Sequence, residues 1–470
     1  MTPGRRTAAP RPARDASASA SALRTLLDPP QVAAILRAHV RLDGRPLAPR
    51  RVRIERCWPA GHGLRVCWSF TIRGRAASTL CALPARPADL NPRPSGPPTL
   101  INPPELRGVR VPVPRFGVVI VSPDCDPALP QLATLLNPVA MRARLQRACR
   151  PLAAAGRPVG ARLGCRLLGY KPGRRAAIRY EWFNGRTTLR VLGKLHHDRR
   201  GQRLISLHRR VQQRLDELSG GRVRVPQPIA YLRDLRLALF EWADGGSAAD
   251  GLGVDGRRLR AALDALAVLH QVELDDLRPF TLEDECAVVR RWFGVLGRVE
   301  PPRAAQVEPL VDALLRWSRR IEPGLRRTIH RDFYEKQLVW NGSTTTVLDL
   351  DTLARGDACQ DLGNLLSHAY LHRLQAGEST PGFARLAEQL LAHYERRLGR
   401  VPRETVAFYC ASSLIRGGCL HSLRTATRRY ALPMWRHAAA ILRKQGATAT
   451  AARSQARAVA PPTSRVARAV

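Results

Sequence analysis

The stretch TIHRDFYEKQLVWNGSTTTVLDLD, residues 328–351, decides how this chain is read. It opens on a His-x-Asp, closes on two aspartates among apolar residues, and carries Asn341-Gly342 between two short alternating runs. Asn-Gly between such runs is a strong hairpin signal, so "QLVW" and "TTVLDLD" are expected to pair antiparallel. The pairing brings Gln337, at the start of one arm, close to Asp349, near the end of the other, with Asp332 just outside. Carboxylates repel, and gathering them needs a cation, a proton or a reaction. The arrangement suits one or two divalent ions between Gln337 and Asp349, bridging phosphate oxygens, with Asp332 left to face an incoming hydroxyl.

Upstream, from about residue 160, "CRLLGY" leads through "KPGRR" to "AAIRYEW", and an Asn184-Gly185 turn leads on to "TTLRVLGKL". These read as three antiparallel strands. A helix comes next, with Leu204, Leu207, Val211, Leu215 and Leu218 on one face at spacings of three and four. "VPQPIAYLRDLRLALFEWADG" adds two strands that end in Phe240-Glu241-Trp242, and beyond Gly253 the pattern is helical. A small sheet with one helix, then a larger helical lobe, leaves a cleft between them. Only four lysines occur, Lys171, Lys194, Lys336 and Lys444. Lys194 at the end of the third strand is therefore notable in a chain that otherwise uses arginine.

Still further upstream the chain repeats itself. "LLDPPQVAAILRAHV" (26–40) matches "LLNPVAMRARLQRAC" (135–149), and 57–75 matches 169–186, with Gly61 over Gly173 and Trp68 over Tyr180. Only the second copy runs on into a lysine. The expected organisation is a disordered tail at 1–20, a small αβ unit at 21–90 and a Pro-rich connector at 91–130. A sheet lobe at 131–245, a helical lobe at 246–444 and a disordered basic tail at 445–470 complete it.

Composition sets bounds. At 470 residues two or three domains are expected, and 44% hydrophobic content fills real cores. No apolar run approaches the length of a membrane span. The ten cysteines are scattered without metal-site spacing, which reads as reduced thiols in a cytoplasmic protein. The net charge of +39 is almost entirely arginine spread through the chain, tails included, which reads as a solvated basic surface. Nucleic acid is an unlikely partner, since neither an aromatic single-strand platform nor a zinc finger is visible.

From about Ala161 to Tyr430 the motifs together resemble the aminoglycoside phosphotransferase and choline kinase family, relatives of the protein kinases. The resemblance rests on His330-Arg331-Asp332 with Gln337 after it, on Leu348-Asp349-Leu350, on Gly356-Asp357-Ala358 with Asp361-Leu362-Gly363, on "YKPGRRAAIRY" and on "LAVLHQV" (266–272). It implies an α+β, bilobal, protein-kinase-like fold, with an antiparallel-sheet N-lobe and a helical C-lobe, preceded here by the small αβ unit. It also implies an ATP- and Mg²⁺-dependent kinase acting on a hydroxyl of a small molecule such as a sugar or an aminoglycoside. In that reading Asp332 positions the acceptor hydroxyl, Asp349, Gln337 and Asp351 hold the metal, and Lys194 pairs with the α/β-phosphates. Gly173 lets the loop approach the phosphates, and Glu241 and Trp242 form the hinge that meets adenine. His330, Asp357 and Asp361 brace the loop. Two features depart from the family: Gln337 stands where Asn is usual, and the helix after Lys194 reads "SLHRRV" where a glutamate is expected. The alternative is a pseudokinase-type binding module whose basic surface engages a partner or nucleic acid. The identity of the acceptor and the oligomeric state are left open.

Overall fold

The structure is a computed structural model that describes residues 20–60, 63–72, 78–85, 99–101, 105–150, 162–183, 188–247, 256–378 and 381–459. The chain divides into two compact units, Met1–Cys125 and Asp126–Val470. Among the described residues no helix is long and apolar enough to cross a membrane. The tail at 1–19, the Asn184-Gly185 turn and most of 86–104 lie outside the described residues.

The first unit begins with helices Ala20–Leu26 and Pro29–His39, the second of which starts on Pro29 with Asp28 at the N-cap. Proline suits this first helical position, where its missing N–H costs nothing. Strands Pro49–Ala60, Gly63–Ile72 and Ser78–Pro84 form an antiparallel meander. Val118–Val121 then pairs with Ser78–Pro84, and Arg110–Val113 closes the edge. The segment expected as a connector thus contributes two strands to the sheet, and the unit ends at Cys125. Its run "FGVVIVS" is apolar because Val118–Val121 is buried on both faces. Cys67 and Cys81, directly opposite in the ladder, form a disulfide, which corrects the expectation that every thiol is reduced.

The second unit opens with the same plan. Helix Pro138–Ala148 starts on a proline and is capped by Asn137, which accepts from the N–H groups of Val139 and Ala140. Strands Arg162–Lys171, Arg175–Phe183 and Thr188–His196 form the meander, with Leu237–Glu241 against the third and Pro228–Leu232 at the edge. The order is that of the first unit. The anchors also recur. Trp68 Nε1–H donates to the carbonyl of Leu26 at 2.9 Å, and Tyr180 O–H donates to the carbonyl of Leu135 at 3.1 Å. Trp68 lies opposite Leu80 and Tyr180 opposite Val191, so Lys194 corresponds to Leu83. Leu83 is buried, so the first copy places an apolar side chain where the second places its charge.

The two copies diverge after the third strand. In the second unit the chain enters helix Arg200–Ser219, whose Leu204 and Ile205 pack on Ala238 and Phe240 of the sheet. Leu218, expected on the buried face, is exposed at the last turn, before Gly220 ends the helix in the left-handed conformation. The remainder is helical: Gly256–Gln271, Leu282–Val299, Pro301–Trp317, Ala358–Gln375, Pro381–Leu398, Arg403–Ser422 and Ala431–Val459. The last helix continues to Val459, beyond the expected start of a disordered tail at 445. Between the third and fourth of these helices lies the hairpin of the opening stretch, Leu338–Trp340 with Thr345–Val347. It is joined by Val223–Arg224 on one side and Gly246–Ser247 on the other.

Candidate active site

The hairpin turn is set by Asn341, whose side-chain oxygen accepts from the N–H groups of Ser343 and Thr344. Leu338 then faces Val347, and the Leu348 N–H donates to the Gln337 carbonyl at 2.7 Å. That bond ties the start of one arm to the residue before Asp349. Asp349 itself adopts the left-handed conformation, φ 55° and ψ 60°, which is costly for a non-glycine residue. It turns the chain out of the strand into the short helical turn Leu350–Thr352.

The loop carrying Asp332 is held from beneath. Asp361, fully buried on helix Ala358–Gln375, accepts from the N–H groups of His330 and Arg331 at 2.6 and 2.7 Å and contacts His270 Nε2 at 3.1 Å. The other His270 nitrogen, Nδ1, lies 2.6 Å from the Tyr394 hydroxyl. His330 Nδ1 accepts from the Asp332 N–H at 3.3 Å, so its Nε2 carries the proton and donates to the Leu348 carbonyl at 2.7 Å. Thr352 O–H caps the carbonyl of His330 at 2.8 Å. Arg331, also at positive φ, lays its guanidinium over the Phe280 ring, 3.7 Å from the centroid. Asp357 caps the Ala358–Gln375 helix through the Cys359 N–H and accepts from the Gly324 N–H. His330, Asp357 and Asp361 are therefore engaged with backbone around the loop.

The carboxylates meet a cluster of cations. Lys194 Nζ donates to Asp349 Oδ1 at 2.9 Å and to Asp351 Oδ1 at 3.0 Å. Arg175 clamps Asp349 through both terminal nitrogens, each at 3.0 Å, and pairs with Asp351 as well. His196 Nε2 lies 3.2 Å from Asp351. Burial would raise the Asp349 carboxyl, but Lys194 and Arg175 outweigh it and hold it well below the usual carboxylate range. Burial lowers Lys194, and Asp349 only partly restores it. Asp332 moves the opposite way: burial raises it, with His330 and Arg416 pulling back. Gln337 is buried, and its amide nitrogen stands 3.4 Å from Asp332.

The structure thus brings Lys194, Asp349 and Asp351 into direct contact and sets Gln337 beside Asp332. Gly173, at φ +65°, forms the turn between Lys171 and Arg175, but its N–H is taken up by Asp126 at 2.6 Å. Glu241 ends the strand that pairs with the lysine strand, and its N–H donates to the Gln227 carbonyl. Trp242 lies under the Arg179 guanidinium, 5.8 Å from the ring centroid. Sequence reasoning misses Arg175 and His196. "KPGRR" marks a turn, and nothing local says that one of its arginines reaches Asp349, 174 residues away. On the helix after Lys194, the buried His208 donates from Nδ1 to the Pro226 carbonyl at 2.9 Å and stacks obliquely on Phe240. The acids in contact with Lys194 come from the hairpin instead of that helix.

Residues 180–405 match the model of the phosphotransferase enzyme family. This segment is a phosphotransferase-family domain. Solved structures that resemble the chain include a choline kinase from Streptococcus pneumoniae, at 13% identity and a TM-score of 0.43, covering 65% of this chain and 99% of that one. A choline/ethanolamine kinase family protein from Mesorhizobium loti stands at 15% and 0.43, covering 64% and 94%. A macrolide 2'-phosphotransferase of type I stands at 17% and 0.41, covering 66% and 98%. No curated protein matches the chain. The phosphotransferase segment contains the whole braced loop, the hairpin and Lys194, whereas Lys171 and Arg175 lie just before it.

Proposed function

We propose that the second unit transfers the γ-phosphoryl group of ATP to a hydroxyl of a small molecule. The observation that carries this is the meeting of Lys194 with Asp349 and Asp351 from 155 and 157 residues away, next to half-buried Asp332 and its buried partner Gln337. Lys194 supplies a compact positive charge for phosphate oxygens. Asp332, raised by burial, orients the acceptor hydroxyl and takes its proton.

Two carboxylates and one amide form a hard-oxygen donor set that suits Mg²⁺. Among the described residues no group of three or more His, Cys, Asp or Glu is arranged to hold a metal by itself. That fits an ion whose shell is completed by phosphates and water. Asp349, Asp351 and Gln337 would hold it, and it would neutralise charge on the transferred group. Arg175 now supplies part of that neutralisation at Asp349, so its guanidinium has to move aside for the ion.

The Arg175 clamp and the missing helix acid also favour a second reading, a pseudokinase-type module in which the clamp is permanent. Calorimetric titration with a non-hydrolysable ATP analogue separates the two. A catalytic domain binds the analogue more tightly with Mg²⁺, loses that dependence in Asp349→Ala, and turns over ATP with some member of a panel of hydroxyl compounds. Equal binding by wild type and Asp349→Ala, together with no turnover, defeats the kinase reading.

A further inference from the structure

A cavity of about 570 Å³ opens at the Leu350–Thr352 turn; Arg175 and Asp351 line it, whereas no residue of the hinge, nor Lys194, Asp332 or Gln337, does. Its walls come from the turn between the first two strands of the second unit, from helix Arg200–Ser219, and from the loop at 276–278. Those walls carry seven lysines and arginines, among them Lys171, Arg203, Arg210 and Arg278, against two acids, Asp276 and Asp351. Both acids are engaged: Arg210 clamps Asp276 at 2.8 and 2.9 Å, and Lys194 with Arg175 holds Asp351. Lys171, Arg203 and Arg278 form no direct ion pair among the described residues, whereas Arg200 and Arg210 do. Burial and then the neighbouring Arg175 charge push Lys171 down to about 8. Between the cations lie Leu204, Leu207, Leu277, Leu350 and Leu353.

We propose that this cavity is a second ligand site, adjoining that of the nucleotide and sharing Arg175 and Asp351 with it, which takes a small organic phosphate. Like charges gathered in a concavity repel one another, and low-dielectric walls focus their field on any anion that enters. The leucines favour an apolar body behind the phosphate. The volume is that of a small-molecule site and too small for a protein surface. The proposal goes beyond the kinase reading and does not depend on it.

The test titrates the full chain with phenyl phosphate and with inorganic phosphate, each with and without a saturating non-hydrolysable ATP analogue and Mg²⁺. Phenyl phosphate is expected to bind in both conditions and more tightly than inorganic phosphate. Arg203→Gln and Arg278→Gln, both at exposed positions, are each expected to weaken it roughly tenfold or more while leaving analogue binding unchanged. If both variants lose the analogue together with phenyl phosphate, the cavity belongs to the nucleotide's own phosphates and the proposal is overturned. Unchanged phenyl phosphate binding in both variants also overturns it, and equal affinity for the two probes removes the organic part. If the analogue does not bind at all, the kinase reading falls, while the two variants still decide the cavity.

Discussion

Arg175 and Asp332 stand at opposite ends of the same chemistry. Arg175 holds the carboxylate that an ion would need, so Arg175→Met is expected to lower the Mg²⁺ concentration required for nucleotide binding by roughly tenfold, the order of one charge-assisted pair. Titrating Mg²⁺ at fixed analogue reads this directly. A rise instead of a fall would mean that the guanidinium serves the phosphates more than it blocks the ion. Asp332 has its hydrogen bonds with His330 and Gln337, outside the cation cluster. Asp332→Asn is therefore expected to cut turnover by about a hundredfold or more, the usual yield of a positioned base, with analogue affinity nearly intact. Calorimetry and steady-state kinetics on the same sample separate the two effects.

Elements in this chain are held at points where side chain meets backbone at close range. Tyr180 ties the second strand of its sheet to the segment before helix Pro138–Ala148, and its ring is fully buried. Tyr180→Phe leaves the Leu135 carbonyl without its donor and is expected to cost about 1–3 kcal/mol in urea unfolding of the second unit. Gly363 is where helix Ala358–Gln375 touches helix Arg403–Ser422: a Cβ there would lie 2.6 Å from both the Cys410 nitrogen and the Tyr409 Cβ. Backbone cannot yield as a side-chain tip can. Gly363→Ala is expected to lose roughly 1–3 kcal/mol or more, read by the same unfolding experiment, and to loosen the nearby Asp361 that braces the acceptor loop.

At the scale of the whole molecule, five histidines, three buried and two half-buried, link stability to pH. Burial pushes His196, His208 and His421 down to about 3, and His368 and His437 down to about 4. The unfolded chain protonates each near its ordinary value of about 6.5, whereas the folded chain does not until far lower pH. Between those limits the unfolded state binds more protons, so stability is complete above about pH 6.5 and falls as the pH drops toward about 4. Each histidine contributes a slope of up to roughly 1.4 kcal/mol per pH unit. Melting temperatures measured from about pH 7 to about pH 4.5 should fall steadily. A flat profile would show that these rings are solvated in the folded chain. All five lie in the second unit.

Much of this protein was legible in one dimension. Turn chemistry at Asn341, alternation in the strands and the three-and-four spacing of the helix after Lys194 are local signals, and local signals mark elements wherever the chain later goes. The motifs around His330, Asp332 and Asp349 likewise resembled those of a phosphotransferase family, whose model matches that segment, and the repeat of 26–40 in 135–149 pointed to two sheets of one plan. Other features depend on which elements become neighbours. Val118–Val121 reads as part of a connector until Ser78–Pro84 lies beside it, and Cys67 meets Cys81 only through the ladder register. Arg175 reaches Asp349 because a strand turn happens to face the hairpin, and the basic cavity exists only where separate segments converge. Charge and proximity between distant residues act through space, so the sequence determined most of the elements and carried the family's motifs, while the tertiary structure alone decided which cations face which carboxylates.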